Sequence, residues 1–132
     1  MPSGRRLVVP LTHSPQPERV LETVCALPGD DASVIGVVVI EVSPLLPLDA
    51  QMSEEEAAAR ALLARARKAA DSCGVGFVPR IIRARKLVPA LLELAAEEDA
   101  EIVVVDSGGH HLRRPERQLV RKAPDRVLVV AA

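Results

Sequence analysis

The sequence predicts an α/β fold: a doubly wound, five-stranded parallel sheet with helices on both faces. Three observations predict it. Apolar runs rich in β-branched residues, without polar alternation, occupy residues 7–11, 34–42, 75–82, 102–105 and 127–130, which is the pattern of strands buried on both faces. Segments of helical spacing separate these runs, so the order reads β-α-β-α-β-α-β-α-β. Right-handed crossovers can then reverse direction between strands one and four, for a strand order of 3-2-1-4-5. With 132 residues, 48% hydrophobic and 27% charged, the chain is expected to form a single domain over residues 1–132.

The first strand leads to a helix over about residues 17–27 that opens on Pro17 and ends at Pro28-Gly29. The second strand is interrupted only by Gly36 and Glu41. The connector over residues 43–51 holds Pro44, Pro47 and the apolar Leu45, Leu46 and Leu48. It reads either as a loop folded over the top of the sheet or as a partner-docking loop. In the second helix Ser53 and Glu56 form a capping box, Glu54 to Glu56 fill the positive first turn, and Gly74 is the stop. Ala58, Leu62, Ala66, Ala69 and Cys73 recur at helical steps and predict a narrow, small-residue face. The third helix packs Leu87, Val88, Leu91, Leu94 and Ala95, with Pro89 tolerated in its first turn. The last begins at Pro115, packs Leu119, Val120 and Ala123, and stops before Pro124. Cys25 and Cys73 suit neither a disulfide framework nor a zinc site and read as buried thiols.

Composition excludes several classes. The net charge is −1 and Phe77 is the single aromatic residue, so there is neither a basic face nor a stacking platform for nucleic acid. No apolar run approaches the ~20 residues of a membrane helix, and the apolar stretch of a secretory signal is missing. The expectation is a cytoplasmic protein.

In a sheet wound both ways, ligands sit outside the carboxyl ends of the strands where strand order reverses. That rule places Leu11-Thr12-His13-Ser14 opposite Asp106-Ser107-Gly108-Gly109-His110. Gly108-Gly109 permits close backbone approach, while His110, His111, Arg113, Arg114 and Arg117 crowd the start of a helix that is already partly positive. Two readings stay open: a phosphate site, or a solvated loop neutralised by Glu41, Asp49, Glu116 or solvent. A metal held by His13, His110, His111 and Asp106 is disfavoured, because adjacent histidines rarely aim at one ion. No Gly-x-Ser-x-Gly element supports a serine nucleophile, and strand one lacks the acidic pair of a phospho-accepting receiver.

The segment running Leu91-Leu92-Glu93-Leu94-Ala95-Ala96-Glu97-Glu98-Asp99-Ala100-Glu101 into Ile102-Val103-Val104-Val105-Asp106-Ser107-Gly108-Gly109-His110 has a helix, an acidic turn, an apolar strand and a glycine loop. With the ending Lys122-Ala123-Pro124-Asp125-Arg126-Val127-Leu128-Val129-Val130 and the strand and proline turn from Val38 to Pro44, it resembles the universal stress protein family. The resemblance implies an adenine-nucleotide alpha-hydrolase-like, Rossmann-like sheet, a homodimer through the last strand, and regulation or ligand sensing without turnover. Many members bind ATP through a loop written Gly-x2-Gly-x9-Gly-Ser/Thr, an Asp after strand one and a Val in strand two. Here Gly109 matches the second glycine and Val39 the strand-two Val, but Asp106 occupies the first glycine position and Thr12-His13 the place of the Asp. Arg85 replaces a frequent glycine, and the stretch from His110 to Pro124 is short, so the final Gly-Ser/Thr is absent.

The candidate ligand-binding residues are therefore Thr12, His13, Val39, Asp106, Gly108, Gly109, His110, Arg113 and Arg114, with both arginines as substitute phosphate contacts. The expectation is a dimeric interaction or sensing module with a degenerate nucleotide loop. Its alternative is a binder of ATP, AMP or another phosphate-bearing ligand. Val9-Pro10-Leu11, Glu41-Val42-Ser43-Pro44 and Pro47-Leu48 also resemble the stress-protein domains appended to amino-acid permeases, so the chain reads as a standalone relative or an excised domain.

Overall fold

The structure, a computed structural model, describes residues 6–27, 33–106, 114–123 and 127–130. Its elements follow the expected alternation: β1 (Arg6–Pro10), α1 (Pro17–Cys25), β2 (Ser33–Glu41), α2 (Ser53–Cys73), β3 (Gly76–Ala84), α3 (Leu87–Glu97), β4 (Ile102–Asp106), α4 (Arg114–Lys122) and β5 (Val127–Val130). All pairings are parallel and the order is β3-β2-β1-β4-β5, as read from the sequence. β1 is central, and Val8 and Val9 point into opposite cores, both wholly buried. One core lies under α1 and α2, through Val20, Leu21, Val24 and Leu63; the other lies under α3 and α4, through Val88, Leu91, Leu94 and Leu119. Burying each such side chain contributes roughly 1.5–3 kcal/mol, which is why the strands carry so few polar residues. Within β2, Gly36 admits the Phe77 ring, since a Cβ there would sit 2.4 Å from the ring's Cζ.

Several local expectations are corrected. β3 is not buried on both faces: as an edge strand it leaves Pro79, Arg80 and Ile81 exposed. The buried face of α2 is Ala59, Leu63, Ala66 and Ala70, one residue round from the expected stripe; Ala58 and Cys73 are exposed. Alanines on both stripes leave the helix rotation open, and ion pairs settle it: Arg65 to Glu18 on α1 at 2.8 Å, and Glu56 to Arg83 on β3 at 2.5 Å. The capping box does not form, because Ser53 is already helical, Met52 is the N-cap and no side-chain cap bond is made. Gly74 does end α2, in the left-handed region at φ 73. The thiols are not buried either, Cys25 being half-buried and Cys73 exposed. α1 stops at Cys25, and Pro28-Gly29 lies outside the described residues. Among the described residues no helix is long and apolar enough to cross a membrane.

Candidate functional site

At the carboxyl ends of β1 and β4 the chain leaves a cleft of about 140 Å³. It arises where the sheet reverses its winding, because α1 departs to one face and α4 to the other. The β1–α1 turn forms one wall. Leu11 N–H donates to Val37 O at 2.7 Å, extending the ladder by one residue, and Ser14 N–H donates to Leu11 O at 3.0 Å, closing the turn. His13 between them sits in the left-handed region at φ 60, a conformation histidine adopts more readily than most residues but still uncommon. The Ser14 hydroxyl oxygen is buried and has no hydrogen-bond partner among the described residues, so the cleft holds an unsatisfied polar group.

The floor is apolar, made of Leu87, Leu91, Val104 and Leu119, and the polar rim is Glu41, Asp106 and Glu116 with His13. Glu41 also serves α3, whose Leu87 N–H donates to its carboxylate at 3.3 Å; a negative charge there meets the positive end of the helix. A few polar groups around an apolar floor is the ordinary build of a small-molecule site.

The structure brings Thr12, His13 and Asp106 together on this cleft. Val39 lies instead in an adjoining hollow of about 240 Å³ that shares Thr12, His13 and Glu41 with the cleft and is closed by Glu55 and Leu62. Its N–H donates to the Thr12 hydroxyl at 2.9 Å, so the side chain continues the β1–β2 ladder past the last backbone pair. Arg114 is exposed at the start of α4, next to the cleft-lining Pro115 and Glu116. Gly108, Gly109, His110 and Arg113 lie outside the described residues.

Sequence reasoning placed Ser14 on the crevice turn without making it a candidate ligand residue, and it missed the fastening of the connector. The Arg85 guanidinium donates to the carbonyls of Ser43 at 2.6 Å and Leu46 at 2.8 Å, while Arg83 donates to Leu48 O at 3.3 Å, to Ala50 O and to Glu56. The connector is thus folded down onto β3, although Leu45 remains 92% exposed. Arg83, with help from Arg60, holds the Glu56 carboxyl below its usual range. Two arginines spaced one residue apart at the end of an apolar strand were the available signal.

The chain matches the model of the universal stress protein family over residues 4–131. No curated protein sequence matches it. Among solved structures it is similar to the universal stress protein from Archaeoglobus fulgidus in complex with dAMP, with TM-score 0.74, 19% identity and 98% of each chain covered. It is similar also to a universal stress protein in complex with cAMP, with TM-score 0.70, 22% identity, and coverage of 97% of this chain and 98% of that one. An Arabidopsis thaliana universal stress protein family protein with AMP bound aligns with TM-score 0.64 at 16% identity, over 96% of this chain and 90% of the other. At these identities the likeness is one of fold.

Proposed function

The chain belongs to the universal stress protein family, and from that premise we propose that it is a regulatory domain that binds an adenosine monophosphate-class nucleotide in the β1/β4 cleft without turnover. The observation that carries this reading is the cleft itself, open at the reversal point and holding the Ser14 hydroxyl, without a partner among the described residues, beside the left-handed His13. Relatives of the same fold are in complex with dAMP, cAMP and AMP, each with a single phosphate. The missing Gly-Ser/Thr of the ATP loop favours one phosphate over three. Glu41 and Asp106 are the acceptors for ribose hydroxyls, as acidic residues at strand ends are in dinucleotide sites. Arg114, together with Gly108, Gly109, His110 and Arg113, is assigned to the phosphate.

The test is thermal unfolding with AMP, cAMP and ATP. A ligand at a hundred times its dissociation constant stabilises the fold by ~2.7 kcal/mol, a rise of roughly 10 °C for a domain of this size. AMP is expected to produce that rise; no shift with any of the three removes the reading. With no Trp and no Tyr the chain hardly absorbs in the near ultraviolet, so co-purified nucleotide is directly visible.

A second reading, homodimerisation through β5, is favoured by its edge position and its four apolar residues without charge or proline. The opposite edge, β3, is blunted by Pro79, Arg80 and Arg83. Val129→Glu is expected to give monomer or insoluble protein; an unchanged dimer by light scattering contradicts the assignment.

A further inference from the structure

α1 and α2 lie side by side on one face of the sheet and run the same way, because each carries the chain from the carboxyl end of one strand back to the amino end of the next. The Arg65–Glu18 pair at 2.8 Å ties them together. Each helix ends on a cysteine, Cys25 being the last residue of α1 and Cys73 the last of α2, and these are the chain's only two. Glu18 stands seven residues before Cys25 and Arg65 eight before Cys73, so their pair sets the two cysteines at the same level of neighbouring helices, where the Cys73 sulfur acts on the Cys25 thiol. Cys73 is exposed and Cys25 half-buried. Neither belongs to the nucleotide cleft, which lies at the other end of the strands.

We infer that Cys25 and Cys73 form a two-thiol redox site that closes to an intramolecular disulfide when a hydroperoxide is present. The exposed Cys73 sulfur, as thiolate, attacks the O–O bond; a sulfur–oxygen bond forms, and an alcohol (water, from hydrogen peroxide) departs with a proton from solvent. The Cys25 sulfur then attacks the sulfenic sulfur of Cys73: the S–S bond forms, the S–O bond breaks, and water leaves with the proton of Cys25. In sum two thiols lose two hydrogens and one hydroperoxide is reduced to an alcohol and water. A dithiol reductant reverses the cross-link by exchange. Burial, reinforced by the Cys73 sulfur, pushes the Cys25 thiol up to about 12, so the exposed Cys73 is the sulfur that meets the oxidant first.

The experiment treats the full chain with hydrogen peroxide, then alkylates it, and reads mass spectra and non-reducing gels. The expected product is a single chain lighter by two hydrogens, with both cysteines protected from alkylation and restored by a dithiol. Its unfolding midpoint rises by roughly 10 °C over the reduced form, because the bond closes a long loop. In Cys25→Ser, Cys73 is expected to proceed to sulfenic and higher acids with no cross-link, and in Cys73→Ser, Cys25 remains alkylatable. The inference is overturned if wild-type Cys25 stays alkylatable after Cys73 has been oxidised, if both thiols survive, or if the only disulfide joins two chains.

Discussion

The two ends of the sheet are built differently. At the amino end, charges pair with one another across the surface: Arg6 donates to the carbonyl of Glu98 at 2.8 Å and lies 3.7 Å from its carboxylate, and Arg80 reaches the same carboxylate at 3.3 Å. Backbone bonds close that end too, with Glu101 N–H donating to Arg6 O at 3.1 Å and Val75 N–H to Ala70 O at 3.0 Å. At the carboxyl end Glu41, Asp106, Glu116 and Ser14 surround a hollow with an apolar floor. Polar groups that neutralise each other stabilise a surface and do little else, whereas polar groups gathered round a hollow have chemistry to offer a ligand. The contrast is what makes the carboxyl end the place proposed for a ligand on a nearly featureless valine-rich sheet.

That contrast can be broken from either side. Leu91→Ala removes a wholly buried side chain from the cleft floor and is expected to cost ~2–5 kcal/mol in chemical denaturation, while also weakening nucleotide binding. Arg6→Ala at the amino end breaks only half-exposed pairing, so its expected cost is at most about 1 kcal/mol, with nucleotide affinity unchanged. An Arg6 variant that lost binding would show the two ends to be coupled.

The smallest effect is on pH dependence. Arg65 lowers the Glu18 carboxyl from its ordinary value of 4.5, and Arg83 lowers that of Glu56. A carboxylate lowered in the folded state contributes stability above its unfolded pKa and loses it as pH falls through the folded one. Wild-type unfolding midpoints should therefore drop on acidification below about 4.5, and the double variant Glu18→Gln, Glu56→Gln should show a shallower drop. Both carboxylates are solvent-accessible, so salt should shrink the difference.

Much of this was legible in the sequence. The β-branched runs and their alternation with helical spacing gave strand order and reversal point, and the reversal point put Thr12 and His13 opposite Asp106. What could not be read depends on side chains that meet only after folding. The rotation of α2 hangs on Arg65 and Glu56 finding partners on other elements, since alanine periodicity fits neighbouring stripes equally well. The start of α2 follows from a connector pinned by Arg83 and Arg85 rather than from the local Ser53–Glu56 spacing. Val39 lines the adjoining hollow and not the cleft, and its N–H donates to the Thr12 hydroxyl, a contact that no spacing rule contains. The meeting of Cys25 with Cys73 likewise requires two parallel helices to end at the same level.

Equilibrium dialysis of AMP against protein stripped of nucleotide by unfolding and refolding tests the central claim most directly. The expected result is saturation at one AMP per chain, with adenosine, which lacks the phosphate, binding more weakly. No retention of AMP, cAMP or ATP at millimolar concentration, by a protein that has refolded fully, would contradict it.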